Sequence, residues 1–324
     1  MSVDSYFYGP VPSRRLGFSL GVDLFPKKIC SFDCLYCQLG QSGKKTIRRL
    51  SFVKFPKFKR DLREIIKKNS KIDYITISGS GEPTLHKDLD KIIAAIKRVT
   101  KNKYPVAVIT NSSLLYRKKV RRELLKADLI VPSLDAATVK TFSKLNRPHK
   151  GVVLKRVIEG LIRLRREFKG KIWLEIMLVA GINDSKEEIK KLKQVISRIN
   201  PDKIQLNLPI RPAGTKVSLP SQKRVENIKK ALSKSAEIVT KFSLKERGSK
   251  TYEDLGRDIL NFLKVRPASL EDLIKSLGIN PNQIIKQLYL LLEQKLIKEH
   301  MLRKTKYFMV RSEHAHPVNK PKND

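Results

Sequence analysis

Three cysteines, Cys30, Cys34 and Cys37, are the whole thiol complement of the chain, and they fall inside one eight-residue window. An odd, clustered set of thiols suits a metal or catalytic site better than a disulfide framework. A cubane of four irons is ordinarily held by four thiolates. Three would leave one iron open for an external ligand, much as catalytic metal sites keep one position free. The same residues allow a second reading, a three-thiolate zinc site completed by a distant histidine. The count limits the chain to one iron–sulfur centre, because no thiols remain for another.

Other groups with chemical potential fall at turns. Gly79, Ser80, Gly81, Glu82, Pro83 and Thr84 form a small-residue turn in which the backbone can approach a ligand closely and Glu82 offers charge to an ammonium partner. Thr110, Asn111 and Ser112, then Ser133, Leu134 and Asp135, then Gly181, Ile182, Asn183 and Asp184 are similar polar endings, although such types also serve turns and caps. Glu175 interrupts the apolar run over 173–179 and needs a partner there, so it is expected to face inward, toward a site. Arg14 and Arg15, among glycines, could grip a phosphate or carboxylate. Arg147 and His149 are further candidates for the substrate or an anion, with His149 and Glu175 available for proton transfer.

The elements that must position these residues alternate. Strand-like runs cover 22–25, 74–78, 106–110, 129–134, 172–179 and 204–208, with amphipathic helical patterns at 62–68, 89–99, 117–126, 153–168 and 186–199. Six β/α repeats predict parallel strands with crossover helices, and polar motifs at the strand ends fit a barrel whose chemistry sits on the loops after the strands. The expected fold class is therefore α/β, a partial (β/α)6 TIM-like barrel plus a small C-terminal winged-helix domain. The expected division is 1–219 catalytic, 220–250 helix and linker around Arg247, Gly248 and Ser249, 251–312 winged helix, and 313–324 disordered tail. In the winged-helix part, Ser269 caps a helix over 270–277, Asn280 and Pro281 open a longer helix, and two short strands flank a basic turn with Arg303, Lys304 and Lys306.

Cys30, Cys34 and Cys37 in Cys-x3-Cys-x2-Cys order, with aromatic Tyr36 before the last cysteine, resemble the radical S-adenosylmethionine (SAM) signature. The resemblance continues in the turn from Gly79 to Thr84. It implies a [4Fe–4S] cluster on the three cysteines and SAM at its open iron. It further implies cofactor contacts from Tyr36, Gly79, Ser80, Gly81, Glu82 and Pro83, and loops flanking SAM that carry Asn111, Ser133, Asp135 and the segment from Gly181 to Asp184. The implied chemistry is reductive cleavage of SAM to methionine and a 5′-deoxyadenosyl radical that takes a substrate hydrogen, with Glu175 in the catalytic set and electrons from a donor such as ferredoxin or flavodoxin. The opening segment from Tyr8 to Asp23, with Gln38, Leu39 and Gly40 after the last cysteine, resembles an Fe–S oxidoreductase branch similar to archaeal tRNA 4-demethylwyosine synthases, over residues 6–215. Those enzymes carry cysteines for a second cluster, which this chain lacks. The same absence separates it from methylthiotransferases and from RNA methylases that pass a methyl group through an extra cysteine.

Charge bears on the partner. Lys and Arg outnumber Asp and Glu by 69 to 31, a net +38, and a field of that size suits a polyanion. Residues 1–246 carry 54 basic against 22 acidic groups, and residues 247–312 carry 13 against 7. Phe52, Phe55 and Phe58 interleave with Lys54, Lys57, Lys59, Arg60 and Arg63, a pattern suited to phosphate contact and base stacking; Lys286 and the basic turn give the winged helix a second grip. RNA, tRNA above all, is the expected substrate, with a polypeptide as the alternative and a DNA-binding redox sensor as a third reading. No run approaches the roughly 20 apolar residues of a membrane span and no signal peptide is visible, so no membrane partner and a cytoplasmic location are expected. The sequence leaves the oligomeric state open.

Overall fold

The computed structural model describes residues 6–41, 44–69, 71–213, 215, 217–239, 255–303 and 305–311. The expected linker at Arg247 to Ser249, Lys304 and the tail over 313–324 lie outside them. Eight strands form one sheet in chain order: β1 (Phe7–Ser13), β2 (Gly17–Val22), β3 (Tyr74–Ile77), β4 (Val106–Thr110), β5 (Leu129–Pro132), β6 (Lys171–Met177), β7 (Lys203–Asn207) and β8 (Ala236–Ile238). Only β1 runs antiparallel to its neighbour; every later pair is parallel. The helices between the parallel strands include α1 (Phe55–Lys68), α2 (Leu89–Thr100), α3 (Lys118–Leu124), α4 (Val139–Asn146), α5 (Leu154–Glu167), α6 (Lys186–Ile199) and α7 (Gln222–Leu232).

Alternation along the strands gives the sheet two different faces. Ile75 and Ile77, Val106 and Val108, Leu174 and Ile176, and Ile204 and Leu206 join the main core with the helices. In α2, Ile92, Ile93 and Ile96 are fully buried while Lys91 is exposed, the stripe expected of a helix lying on a sheet. On the opposite face, Leu16, Ala107, Leu129 and Val131 pack with Tyr74, Ile109 and Trp173 as an apolar plug at the N-terminal ends of the strands. Farther along, Glu175 of β6 and Gln205 and Asn207 of β7 occupy that same inner face.

Several expected elements shift. The strand expected over 22–25 ends at Val22, which frees Asp23 and the residues after it to lead into the cysteines. An unexpected strand, β1, precedes it; its Pro10 and Pro12 are tolerated because β1 is an edge strand. The helix expected at 62–68 begins at Phe55, with Pro56 in its first turn and Phe58 and Leu62 buried. Strand β8 and helix α4 are also additions to the expected order.

The C-terminal elements are α8 (Leu255–Val265), β9 (Ala268–Ser269), α9 (Leu270–Leu277), α10 (Pro281–Glu293), β10 (Ile297–Leu302) and β11 (Thr305–Val310), with β11 between β10 and β9 in a three-stranded sheet. Ser269 and Asp272 form a capping box at the start of α9, and Gly278 closes it in the left-handed conformation, as helix-end chemistry requires. Ile259, Phe262, Leu273, Ile284, Leu288 and Phe308 make a second core that also takes in Tyr8 and Val11 of β1. The Tyr307 hydroxyl donates to the Ile210 carbonyl at 3.2 Å, so this unit is seated on the open edge of the barrel.

Candidate cofactor site

Two loops are zipped together at the C-terminal ends of β2 and β3. The Ile29 amide donates to the Ser80 carbonyl at 3.1 Å and the Glu82 amide donates to the Ile29 carbonyl at 2.9 Å. This bridge carries the chain straight into Cys30 and forces Gly81 against it: a Cβ on Gly81 would lie 2.1 Å from the Ile29 oxygen. Gly79 has φ +145°, and a Cβ there would meet the Asp23 carboxyl carbon at 2.5 Å. Asp23 accepts from the Ser80 amide at 2.9 Å and from its hydroxyl. Burial pushes the Asp23 carboxyl up to about 6, against the pull of those donors.

The far side of the cysteine loop rests on the last turn of α4 and the residues just after it. Asp33 and Leu35 donate their amides to the carbonyls of Asn146 and Leu145 at 3.1 and 3.0 Å, and His149 donates to the Ser31 carbonyl at 2.8 Å. Asn111 Nδ2 lies 3.4 Å from Cys30 Sγ, and Asn146 Nδ2 lies 3.6 Å from Cys34 Sγ. Burial, then the charge of Glu82, pushes the Cys30 thiol up to about 12. Burial, then Asp135 and Cys30, raises Cys34 well above the ordinary thiol range. Such thiols hold their protons until a metal displaces them. Lys28 is the nearby cation: burial works against its charge, but Cys37, Asp33 and Cys30 together raise its pKa, and it contacts Asp33 at 2.6 Å and the Gly40 carbonyl.

The donor set fits an iron–sulfur cluster. Three soft thiols suit iron–sulfur ligation, and all three are only partly covered. Asn146 Oδ1, beside Cys34 and Asp135, is buried without a hydrogen-bond partner. Among the described residues no three His, Cys, Asp or Glu side chains gather tightly enough around a point to hold one metal ion; a cubane spreads its thiolates over different irons.

The expected SAM-side residues converge on the same rim. Glu82 is 2% exposed and accepts from the Thr84 amide and hydroxyl at 3.0 and 2.6 Å, the Thr110 hydroxyl at 2.5 Å and the Asn111 amide at 2.6 Å. Its carboxylate thus braces the end of β4, and an ammonium ligand would join donors already in place. Asp135 accepts from the Met177 amide at 2.8 Å, from Asn146 Nδ2 at 2.7 Å and from the Tyr36 hydroxyl; burial still pushes it up to about 6. Tyr36 is raised well above its ordinary value by burial and then by Asp135. Ser133 pairs in parallel with Glu175, and its carbonyl receives the Ser112 hydroxyl at 2.8 Å. Pro83 is buried in the turn that follows.

Other expectations need correction. Arg15 is not a free anion grip, because its guanidinium forms an ion pair with Glu175, with both side chains largely buried, and approaches Gln205 Oε1 at 3.4 Å. Glu175 faces inward and also accepts from Asn207 Nδ2 at 3.2 Å. His149 lines an open cleft with Arg147, Lys45 and Lys150, and its Nδ1 accepts the Gly151 amide at 3.0 Å. Arg147 takes its left-handed conformation as the residue ending α4. Phe58 is fully buried in the core and cannot stack on a base. Asn183 braces its own turn, donating to the carbonyls of Asp135 and Met177 at 2.8 and 2.7 Å.

Asn146, Lys28 and Asp23 had no assigned roles in the sequence. Only their proximity to the cysteines in space reveals them. Glu188, from α6, is another: buried, it accepts from the Thr138 amide at 3.0 Å and from the hydroxyls of Thr138 and Thr141 at 2.6 and 2.8 Å, fixing the start of the helix that carries Asn146. The Arg15–Glu175 pair predicts a stability effect. Arg15→Met should destabilise the chain by about 3 kcal/mol, since it leaves a buried carboxylate uncompensated, and Arg15→Met with Glu175→Met should recover much of it. Denaturant unfolding of the three proteins checks this; equal loss in the single and double variants would contradict it.

The sequence profile of the Radical SAM superfamily matches residues 25–192, just over half of the chain and all of the zipped loops. The chain belongs to the radical SAM superfamily. It is also 39% identical over 278 residues to a UPF0026 protein of Methanocaldococcus jannaschii, spanning 83% of this chain and 85% of that one. A Brachyspira hyodysenteriae protein named GTPase Obg is 38% identical over 299 residues, which is 91% of this chain but 44% of that protein; this chain therefore spans less than half of that relative's length. A radical SAM methyltransferase from Sphaerobacter thermophilus shares the fold at a TM-score of 0.51 and 16% identity, over 68% of this chain and 65% of that one. Radical SAM proteins are enzymes that bind a [4Fe–4S] cluster and SAM, so the sensor reading gives way to an enzymatic one. Among the described residues no helix is long and apolar enough to cross a membrane.

Proposed function

We propose that this radical SAM enzyme modifies RNA, tRNA in particular. Cys30, Cys34 and Cys37 hold the single [4Fe–4S] cluster, and the turn from Gly79 to Pro83, with Tyr36, Asn111, Ser133 and Asp135, borders the SAM pocket. When bound, the cluster and SAM supply a one-electron cleavage whose product is a hydrogen-abstracting 5′-deoxyadenosyl radical. The chain's own residues do the positioning: the Ile29–Gly81 bridge aligns the two loops, Asn111 and Asn146 orient two of the thiols, and the apolar plug keeps water from the base of the barrel. Electrons come from a partner such as ferredoxin or flavodoxin, in the cytoplasm.

The observation that carries the RNA reading is the charge: 69 basic against 31 acidic residues, an excess far beyond what solubility requires. The C-terminal order of helix, short strand, two helices and a hairpin supports the winged-helix reading, which places Lys286 on α10 and Arg303 and Lys306 at the hairpin. Binding of tRNA should weaken at least tenfold between about 50 and 200 mM salt, because each phosphate contact releases counterions. Binding unchanged over that range, or none at 50 mM, would contradict the reading. A second reading, action on a polypeptide, is favoured by Tyr289 and Met301, which are 67% and 60% exposed on the C-terminal unit; it predicts salt-independent association with a protein and indifference to RNA.

A further inference from the structure

Three arginines from distant parts of the chain meet at the seam between the barrel and the C-terminal unit. Arg14 lies in the turn after β1, Arg211 beyond β7, and Arg266 directly after α8. Burial lowers Arg14 to about 10, with the charges of Arg211 and Arg15 acting in the same direction. Burial lowers Arg266 to about 9, with Arg211 next in effect. Each guanidinium therefore stands in the field of another.

Compensation is incomplete. Arg15 is already neutralised by Glu175. The acid facing the group is Asp272, 3.7 Å from Arg211 Nη2, and its other oxygen receives the Ser269 amide at 3.2 Å in the capping box of α9. Arg266 lies 4.8 Å over the Phe262 ring. Arg211 is only 9% exposed, and its Nε is buried with no hydrogen-bond partner. Three positive charges against one negative leave an excess of two in a largely desolvated seam, an arrangement that is costly unless something else balances it. Planar guanidinium forks match phosphate oxygens in geometry and charge.

We infer that Arg14, Arg211 and Arg266 form a receptor for a doubly charged anionic group, a phosphate monoester on a molecule that enters the barrel from the seam. A monoester carries close to two negative charges above its second pKa of about 6, which balances the cluster; a backbone diester carries one. The site is independent of the RNA reading, since tRNA held by the outer lysines would still bind without it. Either source of the group, a small phosphorylated molecule or inorganic phosphate, is recognised by the same chemistry.

The test is thermal unfolding of the full chain at pH 8 and constant ionic strength, titrated with inorganic phosphate, glycerol phosphate or dimethyl phosphate. The two dianions should raise the midpoint saturably and dimethyl phosphate should not; a stronger response to glycerol phosphate than to phosphate marks a phosphorylated molecule as the ligand, and the reverse marks inorganic phosphate. Arg211→Gln should raise the half-saturation concentration at least tenfold, and Lys193→Gln, an exposed change on α6, should leave it unaltered. Arg14→Gln, in the turn after β1, gives the same comparison if the Arg211 variant folds poorly. Equal responses in wild type and both arginine variants, or equal responses to monoester and diester, would overturn the assignment.

Discussion

Cys34→Ala should leave a folded chain that binds no intact cluster and forms no 5′-deoxyadenosine above background. The fold survives because the contacts that shape the loop are made by backbone: Cys37 donates its amide to the Cys34 carbonyl at 3.1 Å, and Leu35 donates to Leu145 at 3.0 Å. The Cys34 side chain meets Asn146 at a long 3.6 Å, contacts Tyr36 and only partly packs on the core, so a stability loss of about 1 kcal/mol is expected. The cluster has no such reserve. The chain holds three thiols and no more, and none can replace Cys34. Iron and sulfide analysis after anaerobic reconstitution, alongside thermal unfolding, separates the two effects; a Cys34→Ala protein with wild-type iron content would contradict the ligand assignment.

The second large effect is expected from Gly81→Ala. Its new Cβ would sit 2.1 Å from the Ile29 carbonyl oxygen and 2.8 Å from a Phe25 ring carbon. The oxygen cannot step aside, because it accepts the Glu82 amide within the same bridge. The bridge must open, moving the first cysteine relative to the glycine-rich turn. Overpacking of this kind costs about 1–3 kcal/mol, and SAM affinity should fall with it, since the turn and the cysteine loop are then no longer aligned. Gly278→Ala is the control: φ there is +65° at the end of α9, away from the cofactor loops, so it should cost about 1–2 kcal/mol of backbone strain and leave SAM binding alone. Calorimetric SAM titration of both variants distinguishes steric misalignment from simple strain; equal affinities would contradict the bridge's role.

What the sequence discloses depends on how local the cause is. Cysteine spacing is a short-range property, so the metal centre is legible before any fold is known. Strands β3 to β7 are legible because each must present apolar residues to the helices, as Ile75 and Ile77 do. Strand β1 is hidden: Gly9, Pro10 and Pro12 speak against a strand, and only pairing with β2 and the packing of Tyr8 and Val11 on the C-terminal core make it one. Glu175 announces itself as a carboxylate in need of a partner, but Arg15, 160 residues away in the chain, could not be matched to it. Asn146 resembles an ordinary helix end until its amide is found between Cys34 and Asp135. The seam arginines are separated by long stretches of sequence for the same reason.

The charge excess and the site chemistry speak to different questions. Lysines and arginines spread over the surface bear on what the enzyme meets; the zipped loops bear on how its reaction begins. Variants at Cys34 and Gly81 should therefore leave the proposed tRNA binding unchanged while abolishing or weakening cofactor binding.

The most direct measurement is product formation by the reconstituted wild-type chain, reduced without oxygen in the presence of SAM. The account predicts 5′-deoxyadenosine and methionine in equal amounts, with neither formed when the cluster is removed by chelation or when Cys34 is replaced. Intact SAM after full reduction of a protein carrying a complete cluster would contradict it.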